Sequence, residues 1–261
     1  MTNTKTMKTI VLSVLTLGLV VAWGGCSKDT SFEGDAYTLR LIFRPTANGE
    51  PLEFGREYIN PLGEDYTVST FKFYVSHIGI LQDLPQPVAE DLEGVYLVDA
   101  SNDATKTVTV NLTGQSFNRL TFQVGVDSIL NVSGAQTGAL DPMNGMFWTW
   151  NSGYIMAKLE GTSTLSASPN SAITYHIGGF KGVEKTQRTV QLSLPQQQEW
   201  VLEKGNVTEI LIDVDIDEWF ASTHNMFILS HSETMTPGPL SVQYADNYGN
   251  LFRIDNIVRR Q

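Results

Sequence analysis

A single cysteine in 261 residues excludes a disulfide framework and any Cys-rich zinc module. Basic residues are also scarce: 17 Lys and Arg stand against 28 Asp and Glu, the net charge is −11 and the pI is near 4.7. Phosphate recognition needs grouped Lys and Arg, so nucleic acid is not an expected partner. Catalytic signatures are missing too. The chain has no Gly-x-Ser-x-Gly elbow, His-Glu-x-x-His pair, phosphate loop or glycine-rich dinucleotide turn. Paired carboxylates are abundant, but their separation is not written in the sequence, and no catalytic constellation can be assembled from it, so a protein without catalytic turnover is expected. Long helical periodicity is nearly absent, which argues against a helix bundle.

What is present begins with a leader. Lys5 and Lys8 precede the apolar run from Ile10 to Ala22, and Gly24 and Gly25 lead directly to Cys26. A positive start, a short apolar run and small residues before a cut describe a secretory signal, and the run is short for a membrane span. With Cys at the cut it looks like a bacterial lipoprotein signal, with Trp23 where such signals usually carry Leu or Val. The expectation is a signal peptide over 1–25, lipidation at Cys26 and a polar tether over 26–36. The remainder, 37–261, reads as a single domain. It would sit on the cell envelope, facing the periplasm or the exterior and touching the membrane only through the lipid.

Hydrophobic residues make up 41% of the chain and aromatics 10%, enough for a substantial core. Strand signals recur at Tyr37–Phe43, Phe71–Ile78, Val95–Val98, Thr107–Leu112, Arg119–Val126, Tyr154–Leu159, Ala172–Ile177, Thr189–Leu194, Val207–Ile216 and Leu251–Ile254. Turn residues separate them, among them Asn48-Gly49, Gly178-Gly179 and the run Asn247 to Asn250. Short helices are predicted at Ile216–Ala221 and Pro239–Ala245, with a further short candidate at Val126–Leu130. Many short strands at this spacing imply an all-β fold, an antiparallel sandwich or barrel. The least strand-like stretch is the Gly-, Met- and Trp-rich loop from Asn131 to Asn151. A loop that long is usually functional or mobile.

Candidate ligands are few. His77 and His176 each fall within a strand pattern. His224 and His231 flank Met226-Phe227-Ile228-Leu229, and Met235 follows. Imidazole and thioether suit copper, with Met favouring Cu(I), although a lone His is more often structural. His176 shares a face with Thr174 and Gly178, and the Gly178-Gly179 pair leaves room for a ligand to approach. Trp148 and Trp150 would point the same way if extended, which suits either sugar stacking or an aromatic metal pocket. Asp213, Asp215 and Asp217 alternate with Ile212, Val214 and Ile216. That pattern reads as the acidic solvent side of a half-buried strand, or as a calcium site from Asp213 and Asp215.

The runs Phe122–Ser128, Gly138–Trp150, Gly153-Tyr154-Ile155 and Lys158–Gly161 together resemble the MbnP-like copper-binding family. Tyr58-Ile59-Asn60 with Gly63-Glu64, Phe71–Ser76, Tyr175–Gly179, His231–Met235 and Ala245-Asp246-Asn247 add to the likeness, which covers most of Tyr37 to Ile254. The resemblance implies a secreted or periplasmic β-rich protein that binds copper. In some members a partner diheme, peroxidase-like enzyme oxidises one tryptophan to kynurenine, which then helps to hold the metal. Carried onto this chain, His176 and His231 become the leading ligands, Met235 a weaker one, and Trp148 or Trp150 the oxidisable residue. His77 stands where the family strand carries Asn and is a possible additional ligand. The expected function is copper scavenging or relay. The alternative is a glycan-binding or structural module that uses the Trp148/Trp150 loop.

Overall fold

Alternation in sequence becomes alternation in burial. In the computed structural model the described residues are 36–83, 86–148 and 153–261. The signal at 1–25, Cys26, the tether up to residue 35, and Trp150 lie outside them. β1 (Tyr37–Ala47) buries every second side chain along its length, because successive residues of a strand face opposite sides. The chain continues through β2 (Thr70–Leu81), β3 (Ala89–Asp99), β4 (Thr107–Leu112), β5 (Arg119–Val124), α1 (Ser128–Val132), β6 (Phe147–Trp148), β7 (Gly153–Thr162) and β8 (Ala172–Gly178). It then forms β9 (Arg188–Ser193), β10 (Val207–Asp215), α2 (Asp217–Phe220), β11 (Glu233–Thr234), α3 (Pro239–Tyr248) and β12 (Phe252–Arg260). No helix among the described residues is long and apolar enough to cross a membrane.

Two sheets carry the core. One has β1 at its centre, between β10 and β4, with β12 beyond β10. The other runs β9-β5-β2-β7-β8-β11, with β3 on β2 and β6 on β7. Phe43 and Phe252 from the first sheet meet Phe73 and Phe122 from the second, with ring centroids 5.0–5.9 Å apart across the sheets. Edge-on aromatic pairs of this kind add about 0.5–1.5 kcal/mol each beyond the area they bury. The all-β sandwich expected from the sequence is the fold observed, and the three short helices fall at the three predicted places.

Strand direction is a finding of the structure. Most pairs are antiparallel, but β1 and β10 run parallel from Thr38 beside Val207 to Thr46 beside Asp215, and β8 and β11 are also parallel. Local periodicity is the same for either direction, so direction was not legible in the sequence. The acidic strand also differs in one detail. β10 ends at Asp215, and Asp217 opens α2 instead of sharing the strand face with Asp213.

A fork in the second sheet sets the position of the loop. One edge of β2 is covered by β7 over Thr70–Phe73 and by β5 over Val75–Leu81. The chain leaves that edge after Val124 and returns to it at Ala157, and the excursion carries α1, two single-turn helices and β6. Buried polar groups tie the excursion down. The Asn131 amide donates to the carbonyls of Val126 (2.8 Å) and Asp127 (2.9 Å), while its oxygen accepts from the Tyr154 backbone at 2.8 Å. Tyr74 and Tyr154 donate their hydroxyls to the Ala139 and Leu140 carbonyls at 3.1 and 2.9 Å.

Candidate metal-binding cleft

A polar row crosses the outer face of the second sheet. Strand register sets Asp99, Lys72, Lys158 and His176 side by side on β3, β2, β7 and β8. β11 lies beyond β8 with Tyr175 beside Thr234, so one further step along the register brings Met235 alongside His176. Over this row closes the end of the excursion. A cleft of about 430 Å³ results, lined by Phe147, Trp148, Ile155, Lys158, His176 and Met235 among others. Three of the residues singled out in the sequence thus converge: Trp148, His176 and Met235.

The imidazole of His176 is held from one side. Its Nε2 lies 2.6 Å from Glu160 Oε1. That hydrogen bond, aided by Thr70 and Lys158 and opposed by burial, holds the Glu160 carboxyl down at about 2. An ionised carboxylate only accepts, so Nε2–H is the donor, which leaves Nδ1 as the nitrogen that can ligate. A histidine whose second nitrogen is anchored to a carboxylate is the usual form of a metal ligand. Lys158 completes the wall. Its Nζ donates to the Gly145 carbonyl at 2.6 Å and lies 3.7 Å from Glu160 Oε1. Burial pulls the Lys158 pKa below the ordinary lysine range, against the pull of Glu160 and with Lys72 adding to it.

Trp148 is 5% exposed and lies on Gly178. A Cβ at Gly178 would fall 2.7 Å from Trp148 Cη2 and Cζ3 and 2.9 Å from the Tyr154 carbonyl. The space above Gly178, read from sequence as room for a ligand, is therefore occupied by the indole. Glycine is required there so that Trp148 can pack this closely against β8.

The other candidates stand apart. His231 is exposed and does not line the cleft. Its carbonyl accepts from the Tyr175 (2.9 Å) and Tyr244 (3.3 Å) hydroxyls, and the next carbonyl, of Ser232, accepts from Thr174 N–H at 2.9 Å. This fixes His231 near the Ala172 end of β8, four residues and roughly 13 Å along the strand from His176. His77 sits at a bulge in β2 with φ +50°, and both of its ring nitrogens are engaged: Nδ1 with Glu90 at 3.0 Å and Nε2 with Asp127 at 2.7 Å. Burial would raise the Asp127 carboxyl, but hydrogen bonds from Gln123 and His77 outweigh it and hold it low. His224 contacts Asp246 at 3.1 Å, and Arg188 also binds Asp246. Asp213 pairs with Arg44 at 2.5 Å and Arg253 at 3.1 Å. Among the described residues no group of three or more His, Cys, Asp or Glu converges as a metal site. The cleft instead offers one imidazole and one thioether, a donor set for a soft ion and not for a hard one.

Sequence reasoning gave no role to Glu160 or Lys158, although both lie in a run it singled out. Their i, i+2 spacing puts them on one strand face, but only the cross-strand register shows that this face meets His176. Glu64 was overlooked in the same way. Its buried carboxylate accepts the backbone N–H groups of Ile228 (2.8 Å) and Leu229 (3.0 Å), stapling down the segment that leads to His231.

Comparison with known proteins follows the same line. A solved structure, MbnP from Methylosinus trichosporium, is similar with a TM-score of 0.50 at 15% identity, covering 74% of this chain and 80% of that one. At that identity the likeness is one of fold. No curated protein matches in sequence. The model of the MbnP family matches residues 36–236, most of the chain, and so the protein belongs to the MbnP family.

Proposed function

We propose that this protein is a copper-binding protein of the bacterial cell envelope, scavenging or relaying the metal as cargo without catalytic turnover. The observation that carries this reading is the convergence of His176 and Met235 in the lining of one cleft, beside Trp148, with Glu160 engaging Nε2 and leaving Nδ1 as the nitrogen that can ligate. Neutral nitrogen and sulfur donors suit copper, Cu(I) in particular. Family membership supports the same assignment, and the leader ending at Cys26 supports a lipid-anchored location outside the cytoplasm. Trp148 borders the cleft, so its oxidation to kynurenine by a diheme partner enzyme would add an aniline nitrogen and a ketone beside the two donors. A glycan-stacking platform needs an exposed ring face, and Trp148 offers almost none.

X-ray absorption of the Cu(I)-loaded protein tests the site. The reading expects nitrogen and sulfur scatterers in the first shell and loss of the sulfur in Met235→Leu. A shell without sulfur, unchanged by that substitution, would overturn it. Peptide mass spectrometry over Met143 to Lys158, on protein from the native host, reports whether Trp148 or Trp150 is converted.

A further inference from the structure

The charge of the cleft wall points to its selectivity. Among the described residues, Lys158 is the one ionisable side chain besides His176 that lines the cleft, and no carboxylate lines it. Lys158 and Lys72 are direct neighbours across β7 and β2, yet they are not equally balanced. Lys72 lies 2.8 Å from Asp99. The carboxylate nearest Lys158 is Glu160, 3.7 Å away, and the same Oε1 is already engaged by His176 at 2.6 Å. The shared oxygen, 3.7 Å from the ammonium and 2.6 Å from Nε2, places the two groups within about 6.3 Å of each other. The Lys158 side chain is 11% exposed, so little solvent screens its charge.

We propose that Lys158 is the specificity-determining residue of the cleft, a resident cation that admits a monovalent soft ion and rejects divalent ones. This rests on the reading of the cleft as the copper site. The physical basis is Coulombic: repulsion between the ammonium and an incoming ion scales with the ion's charge, whatever the local dielectric. A divalent ion meets twice the penalty of a monovalent one. Nor does it find an anionic ligand in return, since imidazole and thioether are both neutral. Position adds to the effect, because the hydrogen bond to the Gly145 carbonyl holds the ammonium against the excursion and stops it swinging out to solvent.

The test uses redox-inert ions, Ag(I) and Zn(II), titrated into the whole protein and its variants with competition by chelators. Wild type is expected to bind Ag(I) through His176 and to bind Zn(II) poorly. Lys158→Leu should strengthen Zn(II) binding by the square of its effect on Ag(I), for example about tenfold against about threefold, because the removed charge acts twice on a divalent ion. Lys158→Arg keeps the charge and should keep the wild-type preference. It also serves where the leucine variant folds badly, since a shift of selectivity in the arginine variant would itself contradict the proposal. Equal shifts for both ions in Lys158→Leu, or none, would overturn the proposal and leave the copper site standing. Ag(I) binding that is absent in wild type, or that survives His176→Ala, would instead remove the site reading beneath it.

Discussion

Two histidines of the second sheet, His77 and His176, differ in a way that decides what each can do. Both sit on strands, both are partly buried, and both touch carboxylates. His77 has a carboxylate on each ring nitrogen, Glu90 on one and Asp127 on the other. Its imidazole is consumed in a strut joining β3 to the start of the excursion. His176 has a carboxylate on Nε2 alone, and the residue lines a cleft that also holds Met235. The number of occupied nitrogens, not burial or strand position, is what leaves His176 able to ligate and His77 not. The backbone marks the same distinction. His77 is held at φ +50°, outside the strand region, at a bulge that turns its side chain towards its two partners.

Removing each element of this contrast gives a graded series. His176→Ala takes away the nitrogen donor and should weaken Cu(I) binding by about 100-fold or more, measured against a chromophoric chelator. Gly178→Ala drives a methyl into Trp148 and the Tyr154 carbonyl and should cost about 2 kcal/mol in chemical denaturation, with lowered Cu(I) affinity as the cleft shifts. His77→Asn suits the left-handed backbone but removes the strut. It should lower stability by about 1–2 kcal/mol with Cu(I) affinity unchanged, and a large affinity loss would make His77 a ligand after all.

Glu160→Gln keeps the shape of the clamp and removes its charge. Cu(I) binding should fall by about tenfold, and the acid profile should change in a defined direction. The Glu160 carboxyl is held at about 2 against an ordinary value of 4.5. Its contribution to stability is therefore complete above 4.5 and is lost as the pH falls towards 2. About 1 kcal/mol of acid sensitivity is expected after discounting for a side chain 32% exposed, and Glu160→Gln should lack it. The smallest effect is expected from His231→Ala, within about threefold for Cu(I), because the imidazole faces solvent away from the cleft. A loss as large as that of His176→Ala would show that the 231–236 segment moves to bring both histidines to the metal.

Much of this architecture was legible in the amino-acid order. Period-two alternation located β1, β4 and β10 closely, since half-buried strands write their faces into sequence. His176, Met235 and Trp148 were each visible as scarce residue types in unusual settings. Their convergence depended on pairing across strands far apart in sequence, and no local pattern encodes that. Glu160 and Lys158 read as ordinary charged residues of a strand until β8 was placed beside β7. Gly178 misled for a related reason. A glycine announces that something approaches closely, and here the approaching group is the protein's own tryptophan.

The central claim is that His176 ligates through Nδ1 while Glu160 holds Nε2–H. Long-range proton–nitrogen NMR of the imidazole rings, recorded before and after one equivalent of Ag(I), tests it directly. The account predicts that His176 starts as the Nε2–H tautomer and that its Nδ1 resonance alone moves strongly on metal addition, with the His77 nitrogens unmoved. A metal-dependent shift at His77, or a His176 ring that does not respond, would contradict it.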